Sequence, residues 1–311
     1  MSEFLHAVSS VSIILLLAAT GYFCADRGWM NDSVKQFLSK FLMTVAIPVN
    51  MVYGFTANLR PEDLLMHVQM MLVPLMVIPV LFVLAFAAQH FLKLPRRQAG
   101  VFLMMCGLGN TIFVGLPMCL ELFGDVATPY VMTYYLVSSS FTQLVGIPLV
   151  RWAGEQSKPS FGKMFARYIR TPAVLSVFVG LGLVLLNVQL PPLAQSYAKY
   201  INGTITPLAM LLTGYIIHGI GLKNMRIDRI HGTVLAFRFL ISPLLCLGVC
   251  VLFGVEGLAR SVLAVEMAMP IVTQTVVAAT EYGADEQLAA QGAALTTLAC
   301  FVVIPVLMVL V

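Results

Sequence analysis

Residues 107–125 read GLGNTIFVGLPMCLELFGD. The stretch sits inside an apolar run that begins near Gln98 and is long enough to cross a bilayer. Yet it places Gly107, Gly109, Asn110, Thr111, Gly115 and Pro117 within eleven residues. Glycine and proline are poor helix-interior residues, and proline also removes a backbone donor. In lipid a freed backbone group finds no water, so irregular backbone survives only where protein encloses it or it lines a cavity. A helix broken at Asn and Thr is therefore a candidate ligand site at mid-membrane depth. A second interrupted stretch, EMAMPIVTQTVVAATEYGAD at 266–285, lies near the other end of the chain. Two such segments in corresponding halves point to the binding site of a secondary transporter.

Composition supports that setting. Of 311 residues, 59% are apolar and only 10% charged, with a mean hydropathy of +0.92. Soluble domains carry about 25% charged residues, so this is an all-α, polytopic membrane protein. A span needs about 20 apolar residues. Ten candidates run over 5–25, 34–56, 66–90, 98–123, 127–151, 171–189, 196–219, 233–254, 258–281 and 287–310. The third holds Pro74 and Pro79 and is expected to bend. Fifteen of the eighteen Lys and Arg fall between spans one and two, three and four, five and six, and seven and eight. Lys158, Lys223, Arg226 and Arg238 are in that set, and only Arg60, Lys199 and Arg260 lie on the other side. Basic residues accumulate in cytoplasmic loops, so both termini are expected outside the cell membrane.

Other classes fit poorly. The net charge of +4 is spread over short separate loops, which gives nucleic acid no basic patch. The six cysteines fall in apolar spans without a CxxC or Cys/His cluster, so no metal site or other cofactor is expected. The five histidines, at 6, 67, 90, 218 and 231, are scattered, and no nucleophile–base–acid constellation suggests an enzyme. The opening MSEFLHAVSS carries no Lys or Arg before the first apolar run, so that run is expected to be a retained helix and not a cleaved signal.

The longest connection divides the chain into a first five-helix half, 1–152, a cytoplasmic linker, 153–170, and a second half, 171–311. Because five is odd, equivalent halves run in opposite directions. Ala46-Ile47-Pro48 in span two has a counterpart in Ile205-Thr206-Pro207 of span seven. Glu121 to Asp125 at the end of span four is matched by Glu281 to Asp285 at the end of span nine. Counting back from Gly124 and Gly283 pairs Asn110 with Met269 and Gly115 with Gln274. The two breaks then fall at equal depth in opposite orientation.

The segments KFLMTVAIPVNMVYGF at 40–55, GNTIFVGLPM at 109–118 and MAMPIVTQTVVAATEYGAD at 267–285 resemble the auxin efflux carrier family of permeases, which includes bacterial malonate-type transporters. The resemblance covers nearly the whole chain. It implies ten transmembrane helices as two inverted five-helix repeats with crossing broken helices four and nine. It further implies transport of small organic anions, often mono- or dicarboxylates, and a homodimer. Gln274 and Glu266 depart from the pattern, being polar where many relatives are apolar or small. The segment ARSVLAVEMAMP at 259–270 also loosely resembles bile acid:sodium symporters, in which a Glu contributes to sodium coordination.

Individual residues follow. Asn110 and Thr111 can bind a substrate carboxylate at the positive end of the following half-helix, or simply satisfy freed backbone groups. Gly115 and Pro117 shape the crossing. In span nine Pro270 opens the helix, while Thr273 and Gln274 face either a ligand or a neighbouring helix, with Gln274 able to read a carboxylate or to coordinate a coupling cation. Glu266 is an intramembrane carboxylate, costly enough to be a functional candidate for Na⁺ or H⁺ coupling. Its alternatives are a place near the membrane edge or a pairing with Arg238. Asn50 and Pro48 of span two, with Ser138, Ser139, Ser140 and Thr142 of span five, are further candidates to line a cavity. Arg238 and His218 are expected at the cytoplasmic edge, where Arg238 either attracts an anionic substrate or, the preferred reading, snorkels. The functional expectation is an organic-anion permease using elevator-type alternating access. A sodium-coupled symporter of the bile-acid type and a passive anion channel are the alternatives.

Overall fold

The computed structural model describes residues 2–154, 161–221 and 227–309. Lys158, Lys223 and Arg226 lie outside the described residues, as does part of the 153–170 linker. In chain order the helices are α1 (Ser2–Asp26), α2 (Asp32–Asn58), α3 (Leu64–Leu92), α4 (Arg96–Gly107), α5 (Thr111–Phe123), α6 (128–153) and α7 (Phe161–Ile169). They continue with α8 (Pro172–Leu185), α9 (Pro192–Ile220), α10 (Arg229–Phe253), α11 (Gly257–Met267), α12 (Gln274–Tyr282) and α13 (Glu286–Leu307). No strand is found among the described residues. Six helices, α1, α2, α3, α9, α10 and α13, are long and apolar enough to cross a membrane. The chain is thus a multi-pass membrane protein.

Proline shapes four of these helices in the same way. A wide turn, in which an N–H bonds to the carbonyl five residues back, occupies 42–46 of α2, 111–115 of α5, 142–146 of α6 and 237–241 of α10. Each ends two residues before a proline: Pro48, Pro117, Pro148 or Pro243. A proline ring crowds the carbonyl four residues back and offers it no donor, and widening the turn moves that carbonyl aside. Pro74 and Pro79, by contrast, sit inside an uninterrupted α3.

Two groups of helices can be distinguished by their packing. In one, α1 lies along α9, α8 lies on α2, and α2 touches α9. In the other, α3, α4, α6, α10, α11, α12 and α13 pack together. Helix α5, the amino-terminal part of α6 and α13, which also packs on α1 and α9, bridge the two groups. The breaks between α4 and α5 and between α11 and α12 fall in the second group's core.

Candidate functional site

The two breaks meet. Residues 108–110 and 268–273 run antiparallel past each other, Gly109 pairing with Ile271. The Asn110 N–H donates to Pro270 O at 2.8 Å and the Val272 N–H to Leu108 O at 3.3 Å. Buried backbone groups left by a broken helix require partners, and most of the remainder are met by side chains. Asn110 Oδ1 accepts from the Phe113 N–H at 3.3 Å and so caps α5. Thr296 of α13 accepts from the Ile271 N–H at 3.2 Å. Met267 O, at the end of α11, takes Ser242 Oγ at 2.8 Å and Arg238 Nη2 at 3.0 Å, and Met269 O takes Arg238 Nε at 2.9 Å.

Two charged side chains with no exposed surface, Arg238 and Glu266, flank this meeting point, and each rests on a glycine. A Cβ on Gly109 would collide with the Arg238 guanidinium. A Cβ on Gly115 would lie 2.5 Å from both Glu266 carboxylate oxygens. These glycines are present because charged groups fill the space a side chain would take. Glu266 Oε1 accepts from the Cys119 thiol at 3.6 Å. Arg238 Nη1 has no hydrogen-bond partner, and the Thr111 hydroxyl, which makes no bond of ordinary geometry, interacts with the Glu266 carboxylate. A single charge at mid-bilayer costs about 3 kcal/mol or more, so two held without a mutual ion pair mark a site built for something besides stability.

A cavity of about 40 Å³ lies against the start of α5, lined by Gly109, Asn110, Thr111, Ser138, Thr142, Thr273 and Gln274 among others. That is room for a water or two, and too little for a dicarboxylate. Across it Asn110 Nδ2 donates to Thr273 Oγ1 at 3.0 Å, and Gln143 Nε2 to Gln274 Oε1 at 3.2 Å. Thr273 also lines a second, open cavity of about 1000 Å³ bounded by Asp32, Lys35, Tyr215 and Glu286. The small cavity and the wide vestibule thus share one residue.

Of the residues expected from sequence, Asn110, Thr111, Thr273, Gln274, Ser138, Ser139 and Thr142 come together around the cavity. Pro270 lies in the break itself. Gly115 and Pro117 belong to α5 beyond its start, where Gly115 meets Glu266. Asn50 is fully buried in α2, away from the cavity lining, with both amide atoms unpaired. Glu266 is at the crossing, with no exposed surface.

Arg238 is the main correction. It does not snorkel: α10 starts at Arg229, so Arg238 lies more than two turns inside the helix and is fully buried. It therefore leaves the cytoplasmic set of basic residues. Sequence reasoning also missed Ser242, Thr296 and Gln143. The available signal was an arginine inside an apolar run, which deserved the weight given to Glu266. His218, half-buried and 3.6 Å from Asp26, is at the ends of α9 and α1.

A multi-pass helical protein with two broken helices meeting at a small polar cavity belongs to the transporter class. Residues 6–308 match the family described as membrane transport protein, and the chain belongs to that family, the auxin efflux carrier permeases. It is 25% identical over 292 residues to an uncharacterized transporter of Methanocaldococcus jannaschii, covering 92% of this chain and 93% of the relative. It is 22% identical over 311 residues to an uncharacterized transporter of Methanothermobacter thermautotrophicus, covering 97% of each.

Proposed function

We propose that this protein is a secondary-active permease of small organic anions, carboxylates foremost, working by elevator-type alternating access. The observation that carries the reading is the cavity at the start of α5. There the Asn110 amide and the Thr111 hydroxyl stand at the positive end of a half-helix, a setting that favours a carboxylate. In this reading a substrate carboxylate displaces the Asn110–Thr273 bond and enters between them. Gln274 reads the far end, and Gly115, Pro117 and Pro270 keep the crossing open. Asn50, in α2, contributes from the opposing group of helices as the bundle moves.

The α1, α2, α8 and α9 group is then the scaffold, and the halves 1–152 and 171–311 are inverted five-helix repeats joined by the 153–170 linker. We place the protein in the cell membrane as a homodimer with both termini outside, so that the Lys35-lined vestibule opens to the cytoplasm. Glu266, packed against Gly115, is the proposed site of Na⁺ or H⁺ coupling.

Counterflow in proteoliposomes tests the reading. Vesicles loaded with unlabelled malonate should accumulate labelled malonate, and Asn110→Ala should abolish this while remaining folded. Absence of exchange with any mono- or dicarboxylate would defeat the anion assignment. Flux without counterflow would make the protein a passive channel, which a cavity of only about 40 Å³ argues against. Uptake that follows sodium, or pH, and loses that dependence in Glu266→Gln would identify the coupling ion.

A further inference from the structure

We infer that Arg238 is the specificity-determining residue that makes this site select anions, acting from behind Gly109 without lining the cavity; the inference rests on the carboxylate reading above. Three observations converge. The guanidinium has no exposed surface. Its protein partners are neutral carbonyls, Met267 O and Met269 O, while Nη1 has none, so no carboxylate cancels its charge by direct contact. And it is packed so closely on Gly109 that a Cβ there would displace the guanidinium.

Gly109 lines the cavity and precedes Asn110. The positive charge is therefore held against a residue that lines the cavity, with the Gly109 peptide unit between the guanidinium and the space where a carboxylate would lie. Glu266, the other buried charge, packs against Gly115 and reaches the Thr111 side chain. Of the two charges, the positive one is the one packed on Gly109, at the break itself. Arginine suits the place because its planar fork can hold two carbonyls of the unwound segment at once and stay charged. It fixes the shape of the second break and supplies the first with its field.

The test separates charge from scaffolding. Thermal stability of the purified protein is titrated with malonate and with malonamide, its neutral counterpart of similar shape. The wild type should prefer malonate. Arg238→Gln, which keeps donors for the carbonyls, should lose about a hundredfold or more of that preference, as expected for a unit charge about 6 Å away in a medium of effective dielectric about 20. Arg238→Lys should keep the preference and lower the melting temperature. Ser242→Ala removes another donor from Met267 O without touching charge, and should lower the melting temperature alone.

A folded Arg238→Gln with the wild-type preference would overturn the inference and leave the carboxylate reading standing. If Arg238→Gln does not fold, Arg238→Lys decides: retained preference supports the inference, and lost preference ends it. A wild type indifferent to malonate and every other carboxylate would remove the carboxylate reading and this inference together.

Discussion

The break at 108–110 is short and largely looks after itself; the break at 268–273 is longer and is held by others. In the first, Asn110 caps its own half-helix, and the backbone pairs directly with the opposing segment. In the second, Met267, Met269 and Ile271 depend on Arg238, Ser242 and Thr296 from two other helices. The first can therefore present its polar groups to a ligand, while the second is a fixed wall built by its neighbours. Substitutions at the first should mainly cost transport, and substitutions at the supports of the second should mainly cost stability.

The largest effect is expected where the two breaks share one residue. Gly109→Val pushes a side chain into the Arg238 guanidinium, so both the ligand face and its support are disturbed. Destabilisation should approach about 3 kcal/mol, the upper end for overpacking, with complete loss of exchange. A melting temperature near wild type would mean that the guanidinium can move aside and that the second break is less rigid than its contacts suggest.

Thr296→Val comes next. It leaves the buried Ile271 N–H without its acceptor, a loss of about 1–3 kcal/mol, and should change malonate affinity little. Asn110→Ala is the opposite case. Loss of the cap costs about 1 kcal/mol, yet exchange should vanish. If the two variants behaved alike in stability and transport, the division of labour between the breaks would be wrong.

This asymmetry also decides what could be read from sequence. The first break was legible because its causes are local: two glycines, Asn110 and Pro117 lie within a few residues of one another. Pro270 revealed the second in the same way. Its supports come from residues more than twenty positions away in sequence, and no local pattern marks Ser242 or Thr296 as their owners. Arg238 was misplaced because span eight was begun at 233, whereas the helix begins at Arg229.

The correspondence of the halves slipped for a related reason. Counting back from Gly124 and Gly283 paired Gly115 with Gln274, but the half-helices after the breaks start at Thr111 and Gln274, because α12 is four residues shorter than α5. The longer second break takes up much of that difference, and its added carbonyls are the ones that need outside donors.

The smallest expected effect is the most diagnostic of how those donors share their load. Ser242→Ala alone should cost only about 0.5–1.5 kcal/mol, the worth of one ordinary hydrogen bond, because Arg238 Nη2 still reaches Met267 O. In an Arg238→Met background the same change removes the last side-chain donor to that carbonyl. An unpaired buried carbonyl costs more than a lost duplicate bond, so the double variant should be destabilised by about 1 kcal/mol more than the sum of the two single changes. Strict additivity in unfolding measurements would mean that Met267 O finds another partner once Arg238 is gone. The wall formed by the second break would then be able to repack, and the contrast with the first break would be one of degree.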